Sequence, residues 1–208
     1  MEYKLEILPE EQKQLFYKLS QIGWLCDYYL VGGTGLALRL GHRISIDFDF
    51  FTNKEINNIS LIEKLSKIGK FELFSEDVNT VNGSLDLVKI SFYKYEYPLI
   101  EQTTIYKNIE IASIIDIALM KLAAISNRGS KKDFIDLYFI LDIYSLMDLL
   151  NKYIVKYGFN ISNQYHLLKS LIYFTDAEKE PVPKMLHEIS WPLIKEKIIE
   201  QVKKISLK

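Results

Sequence analysis

The sequence predicts an α+β protein: a small mixed β-sheet with flanking helices, followed by a C-terminal helical bundle. Residues 30–51, LVGGTGLALRLGHRISIDFDFF, read as strand, glycine turn, short helix and strand. Three more strand-like stretches fall between residues 71 and 109. Beyond residue 112 every periodic segment repeats at helical spacing. The expected division is therefore residues 1–111, an α+β core, and residues 112–208, a helical domain.

Each element has a local reason. Residues 9–22 open on a proline and two glutamates, and Leu15, Leu19 and Ile22 recur at helical spacing. Residues 28–31 form a short apolar strand ending in Gly32-Gly33. Residues 34–40 form a short helix stopped by Gly41. Residues 44–51 alternate with period two, as a strand does. Residues 59–68 read as a helix ending at Gly69. Residues 71–74, 85–93 and 105–109 are the remaining strands, with Asn82-Gly83 as a hairpin turn between the first two. Helices follow over residues 112–127, 130–142, 146–157, 164–174 and 191–205, with residues 176–183 as a loop.

Composition narrows the function classes. The chain has 208 residues, 49% hydrophobic and 13% aromatic, which excludes general disorder. Formal net charge is −1, which excludes a uniformly basic nucleic-acid coat but leaves room for a local basic patch. No apolar run is long enough to span a membrane, and the N-terminus carries no apolar signal segment. One cysteine, Cys26, makes no internal disulfide and fits a reducing, cytoplasmic setting; it reads as a core residue. Only three of the 26 basic residues are arginines, at 39, 43 and 128. Such positions favour the bidentate fork that lysine lacks.

The chemistry concentrates in residues 30–51. On a strand, residues i and i+2 share a face, so Asp47 and Asp49 project together. Two adjacent carboxylates repel unless a cation lies between them, and hard oxygen ligands suit Mg²⁺ or Mn²⁺. Gly33 and Thr34 open a helix whose free N–H groups and dipole can hold an anion. Arg43 and Ser45 fall in line with the acids, either contacting a nucleotide or balancing their charge. Lys121 interrupts the apolar helix IIDIALMKLAAI, where a lysine is costly unless its charge is used. Arg128 follows seven residues later on the same face.

Gly-Gly-Thr followed about a dozen residues later by Asp-Phe-Asp-Phe resembles the signature of the DNA polymerase β-like nucleotidyltransferase superfamily. The longer string GHRISIDFDFF is similar to the AbiEii/AbiGii toxin family within it. LVKISFYKYEYPL resembles that family's third core strand, KLAAISNRGSKKDFIDLY its paired downstream motifs, and FTDAEKEPVPKML its C-terminal segment.

The resemblance implies a metal-dependent nucleotidyltransferase with an NTP as donor and Mg²⁺ or Mn²⁺ as cofactor. The implied acceptor is an RNA end, above all the tRNA 3′ end. The protein would be the toxin of a toxin–antitoxin or abortive-infection system, with an antitoxin as partner. Carried over by position, Asp47 and Asp49 would bind metal, Gly33 and Thr34 the triphosphate, and Lys121 phosphate charge. Asp133 matches the acid of the last motif, with Asp136 one turn later.

One position departs from the pattern. A third carboxylate is usual on the next core strand, and Ser91 stands there; Asp86 is five residues too early. That departure leaves three readings open: Asp133 supplies the missing acid, two metal-ligating acids suffice, or the chain is a catalytically degenerate nucleotide-binding module; separately, the acceptor could be a protein or small-molecule hydroxyl. Beyond this, His42 reads as a turn residue, and His166 and His187 lack metal-ligand spacing. Tyr93, Tyr95 and Tyr97 read as a half-exposed strand. The lysine-rich last helix offers an RNA-backbone or partner surface, with solvated lysines as the default.

Overall fold

The structure, a computed structural model, describes residues 3–158 and 163–206. The chain falls into two compact units, Met1–Ser113 and Ile114–Lys208.

The first unit is built on a seven-stranded mixed sheet of order β3-β4-β5-β2-β1-β7-β6. Its strands are β1 (Tyr29–Leu30), β2 (Phe48–Thr52), β3 (Phe71–Asp77), β4 (Thr80–Leu85), β5 (Val88–Lys94), β6 (Thr104–Tyr106) and β7 (Ile109–Ile111). β2 runs antiparallel to β1 and parallel to β5, and β1 runs parallel to β7. Three helices belong to this unit: α1 (Glu10–Leu19), α2 (Gly32–Leu40) and α3 (Asn58–Ile68).

Strand alternation sorts the sheet into two faces. Phe48, Phe50, Ile90 and Phe92 point to one face and are buried, with Phe50 and Phe92 stacked at 5.3 Å. Leu15, Phe16 and Leu19 of α1 and Leu61 and Leu65 of α3 belong to the same core. The other face carries Asp49, Phe51, Ser91 and Tyr93. Local signals end the helices: Gly41, at φ 64°, closes α2, and the Asn57 side chain accepts the Ser60 N–H at the start of α3.

Several expected boundaries are corrected. Asn82 and Gly83 lie inside β4, and the two-residue turns fall at Val78-Asn79 and Asp86-Leu87. The core decides this, because Val81 and Leu85 are wholly buried and fix where β4 must run. Gly83 also faces the neighbouring strand closely: a side chain there would meet the Glu72 carbonyl. The stretch 105–109 is the hairpin β6–β7, turning at Lys107-Asn108, both at positive φ. Cys26 is exposed, since the short 3-10 turn Gly23–Asp27 points Leu25 inward instead.

The second unit is helical: α4 (Ile114–Asn127), α5 (Lys131–Ile140), α6 (Leu146–Tyr157), α7 (Gln164–Leu171), α8 (Thr175–Glu178) and α9 (Trp191–Ser206). The expected loop 176–183 thus begins in the short helix α8. The last helix, expected over 191–205, runs to Ser206. α4 packs against α5, α6 and α7. Phe134, Phe174 and Trp191 form an aromatic cluster with centroids 4.9–6.1 Å apart. Among the described residues no helix is long and apolar enough to cross a membrane.

A buried ion pair joins two of these helices. Lys156 Nζ of α6 lies 2.8 Å from Asp116 Oδ1 of α4, and both side chains are wholly inaccessible. Lys156 follows Leu149 by seven residues, so it occupies the apolar stripe of its helix. Removing one partner strands a buried charge, whereas removing both does not. Lys156→Met should therefore lower unfolding free energy by about 3–5 kcal/mol. The double variant Asp116→Leu/Lys156→Met should recover most of that loss in urea denaturation.

Candidate functional site

The candidate site in the sheet unit grows from the junction between β1 and α2. Gly32 has φ +66°, a conformation that side chains resist. A Cβ placed there would lie 2.5 Å from Asp49 Oδ2. The carboxylate of Asp49 therefore rests directly on the glycine backbone. The Val31 N–H donates to the Asp49 carbonyl at 2.9 Å, locking the two segments by main chain as well.

α2 makes its first i→i−4 bond from Gly35 N–H to the Val31 carbonyl, at 3.0 Å. The N–H groups of Gly32, Gly33 and Thr34 precede that ladder, at the positive end of the helix dipole. Arg43 and Ser45 close over Gly33: a Cβ at Gly33 would collide with Arg43 Nη2 and lie 3.0 Å from Ser45 Oγ. Both side chains are more than nine-tenths buried. Arg43 Nη1 also donates to the Ile44 carbonyl at 3.1 Å.

Residues 44–47 do not continue the strand, contrary to the alternation. β2 starts at Phe48. The reason is that this segment bonds to the helix instead of a neighbouring strand. The buried Thr34 hydroxyl reaches Ser45 Oγ at 2.9 Å and donates to the Asp47 carbonyl. Thr34 thus fastens the approach to β2. Asp47, half-buried, stands one residue before the strand.

The strand register places Ser91 of β5 directly beside Asp49. Asn82 and Ser75 continue that row across β4 and β3, and Asn82 Nδ2 donates to Ser75 Oγ at 3.3 Å. The neighbour of Asp49 on the parallel strand is therefore a buried hydroxyl. Asp86 is at the β4–β5 turn, where its carboxylate accepts Lys18 Nζ and the Lys70 N–H, each at 2.8 Å.

The helical unit holds the second group. Lys121 Nζ lies 2.8 Å from Asp133 Oδ1 and 2.6 Å from Asp136 Oδ2, and both carboxylates are wholly buried. Ser130 Oγ donates to Asp133 Oδ2 at 2.6 Å, and Arg128 Nε lies 3.3 Å from the same oxygen. Burial pushes the Asp133 carboxyl up. The Lys121 charge, hydrogen bonds from Lys121 and Ser130, and the Arg128 charge outweigh it and hold Asp133 below the usual carboxylate range. Residue type alone does not mark Ser130 as Asp133's partner, although Ser130-Lys-Lys-Asp133 has the spacing of a helix start.

Arg39, His42, His166, the tyrosine run and the α9 lysines lie elsewhere. Arg39 Nη2 donates to Thr104 Oγ1 at 2.6 Å and to the Ile111 carbonyl at 3.0 Å, tying α2 to the β6–β7 hairpin. His42 is fully buried after Gly41, and His166 Nε2 lies 3.2 Å from the Ser126 carbonyl. His187 is exposed. Tyr95 packs between Phe51 and Tyr97, with ring centroids at 5.0 and 5.3 Å. On α9, Lys195 and Lys197 pair with Glu178 and Asp142, which reduces its free positive charge.

Residues 14–204 match the nucleotidyl transferase AbiEii toxin family of type IV toxin–antitoxin systems. The chain belongs to that family. It is thus a nucleotidyltransferase of the toxin type. An uncharacterised protein of Aquifex aeolicus is 39% identical over 184 residues, covering 83% of this chain and 86% of that one. Two solved Helicobacter pylori structures share the fold. A putative nucleotidyltransferase matches with TM-score 0.55 and 17% identity, over 95% of this chain and 92% of its own. The protein JHP933 matches with TM-score 0.50 and 18% identity, over 96% and 98%.

Enzymes of this AbiEii type use an NTP and a divalent metal. Among the described residues no group of three or more His, Cys, Asp and Glu gathers around one point. The oxygen groups of the residues expected to hold the metal are the Asp47 and Asp49 carboxylates, with the Ser91 hydroxyl beside Asp49. All are hard oxygen donors, which fits Mg²⁺ or Mn²⁺ completed by water and phosphate oxygens.

Two outcomes follow from this geometry. Gly32→Ala should remove activity and lower the melting temperature, because it adds a methyl group where the Asp49 carboxylate rests. A variant with wild-type turnover would contradict the close approach. The second outcome concerns pH. Asp133 titrates below its unfolded value of about 3.9, so its stabilising contribution is present above that pH and fades as pH falls through the folded value. Acid unfolding should be steep below about pH 4, and Asp133→Asn should flatten that part of the pH–stability curve.

Proposed function

We propose that this toxin transfers a nucleoside monophosphate from an NTP to the 3′ end of an RNA, with tRNA as the acceptor. The observation that carries this reading is the seating of Asp49 on Gly32, beside the opening turn of α2. It joins a carboxylate to an anion-binding helix start in one rigid junction.

The residues divide the work. The N–H groups of Gly33 and Thr34, at the positive helix end, receive phosphate oxygens. Arg43, packed against Gly33, adds a fixed guanidinium to the same place. Ser45 and Thr34 hold the loop that carries Asp47. Asp47 and Asp49 would hold the divalent ion, which when bound would neutralise phosphate charge and acidify the acceptor hydroxyl. In the reaction the acceptor oxygen forms a bond to the α-phosphorus and pyrophosphate departs. With Ser91 in place of a third carboxylate, the hydroxyl proton leaves to water or to an Asp47 or Asp49 carboxylate. Within the helical unit, Lys121, Asp133 and Arg128 form a preorganised charge cluster of their own.

Incubation with each α-labelled NTP, Mg²⁺ or Mn²⁺, and total tRNA should label the tRNA with one preferred donor. Asp47→Asn and Asp49→Asn should each reduce labelling by at least about a hundredfold with little change in melting temperature. Chelation of the metal should abolish labelling and its return restore it. Full activity in both Asn variants would falsify the assignment of the two carboxylates.

A further inference from the structure

Two cavities in the helical unit share Arg128 as a wall. One, of about 590 Å³, is lined by Arg128, His166, Lys169 and Tyr173 and runs between the end of α4 and α7. The other, of about 500 Å³, is lined by Arg128, Lys132 and Glu180 with Pro181 and Pro183. Together they form a groove with Arg128 at its centre.

Arg128 is anchored and open at once. Its Nε lies 3.3 Å from Asp133 Oδ2, yet 63% of the side chain is accessible. Such a guanidinium is held in place and still presents its outer edge to a ligand. Lys132 and Lys169 are exposed on either side of it. Aromatic rings interleave with these cations: Tyr173 is 56% exposed and Tyr165 69% exposed, and Lys169 Nζ lies 4.4 Å from the Tyr165 ring centroid.

Two acids also line the groove, and both are engaged. Asp176 lies 3.4 Å from Lys179 Nζ, and the Glu180 carboxylate accepts the Lys131 N–H at 2.8 Å. Arg128, Lys132 and Lys169 therefore outnumber the groove's two acids. Cations spaced along a groove with exposed aromatic rings suit a single strand of nucleic acid: phosphates meet the cations and bases stack on the rings. A folded protein partner would need an apolar centre, and a membrane surface a broad basic face. Ile125, Ile172, Pro181 and Pro183 also line the groove, but the residue common to both cavities is the charged Arg128, and two acids interrupt any basic face.

We propose that this groove, centred on Arg128 and bordered by Lys132, Lys169, Tyr165 and Tyr173, binds the single-stranded end of the acceptor RNA. This inference rests on the RNA-acceptor reading and specifies the surface that selects the acceptor.

The test uses the full chain with exposed-site variants Lys132→Glu/Lys169→Glu and Tyr165→Ala/Tyr173→Ala. Lys67→Glu, exposed on α3, serves as control. Binding of a fluorescein-labelled oligoribonucleotide and of total tRNA is measured across a salt series, together with NTP binding and label transfer. Melting temperature reports folding. The inference expects the lysine variant to bind RNA at least about tenfold more weakly with a shallower salt dependence. It expects the tyrosine variant to lose at least about fivefold. NTP affinity should be unchanged in both, and the acceptor KM should rise. If wild type labels RNA and both variants bind it normally, the groove assignment is overturned and the RNA reading stands. If wild type neither binds nor labels any RNA while turning over NTP on another acceptor, both are overturned.

Discussion

The structure depends on one close approach, that of the Asp49 carboxylate to the backbone of Gly32. It requires a residue without a side chain at positive φ, and it fixes β2 against the opening turn of α2. The Val31–Asp49 main-chain bond and the Thr34 hydroxyl secure the two sides of the same junction. A helix start is a weak anion site alone, and a strand carboxylate is an ordinary surface group alone. Placed in van der Waals contact on a buried sheet, they become a preorganised pair, because neither segment can move without breaking the core behind it. That core is aromatic, with Phe48, Phe50 and Phe92 on the face opposite Asp49.

The helical unit is organised by charge as much as by apolar packing. Lys121 is held between two buried carboxylates, and Lys156 against Asp116. Each buried charge has costs that only its partner offsets, so these pairs specify one arrangement of helices even where apolar residues of equal volume would bind as well. The Asp133 carboxylate is the shared element: it accepts from Lys121, Ser130 and Arg128, linking a buried amine to an exposed guanidinium. The same segment that stabilises α4 against α5 therefore presents Arg128 to solvent in a fixed pose.

Much of the fold was legible. The helical periodicity after residue 112 marked all the long helices of the second unit, and 146–157 matched its α6 bounds. The strand, turn, helix and strand of residues 30–51 were visible from Gly32-Gly33, the Leu36–Leu40 spacing and Gly41. The hairpins were less so. Asn82-Gly83 is a strong turn signal, yet Val81 and Leu85 had to reach the core, which placed the dipeptide inside a strand. Asp86-Leu87 and Lys107-Asn108 took the turns instead, with φ values that sequence preferences assign to glycine or asparagine. Cys26 likewise reads as apolar by type, and only the direction of the 3-10 turn puts it outside.

By itself the sequence offered the candidate residues: a pair of acids, a glycine turn, a lone lysine on an apolar helix, and a serine where a third acid is usual. Those are properties of residue type and spacing, and they carry the family. Tertiary structure decided which groups meet. The register of β2 with β5 put Ser91 beside Asp49, and the turn after α2 folded Arg43 and Ser45 onto Gly33 rather than along a strand. The packing of α4 on α5 gave Lys121 two carboxylate partners. The physical reason is that local preference fixes a residue's conformation to within a kcal/mol or so, whereas burial and charge pairing across distant segments are worth several, and they settle the outcome wherever the two compete.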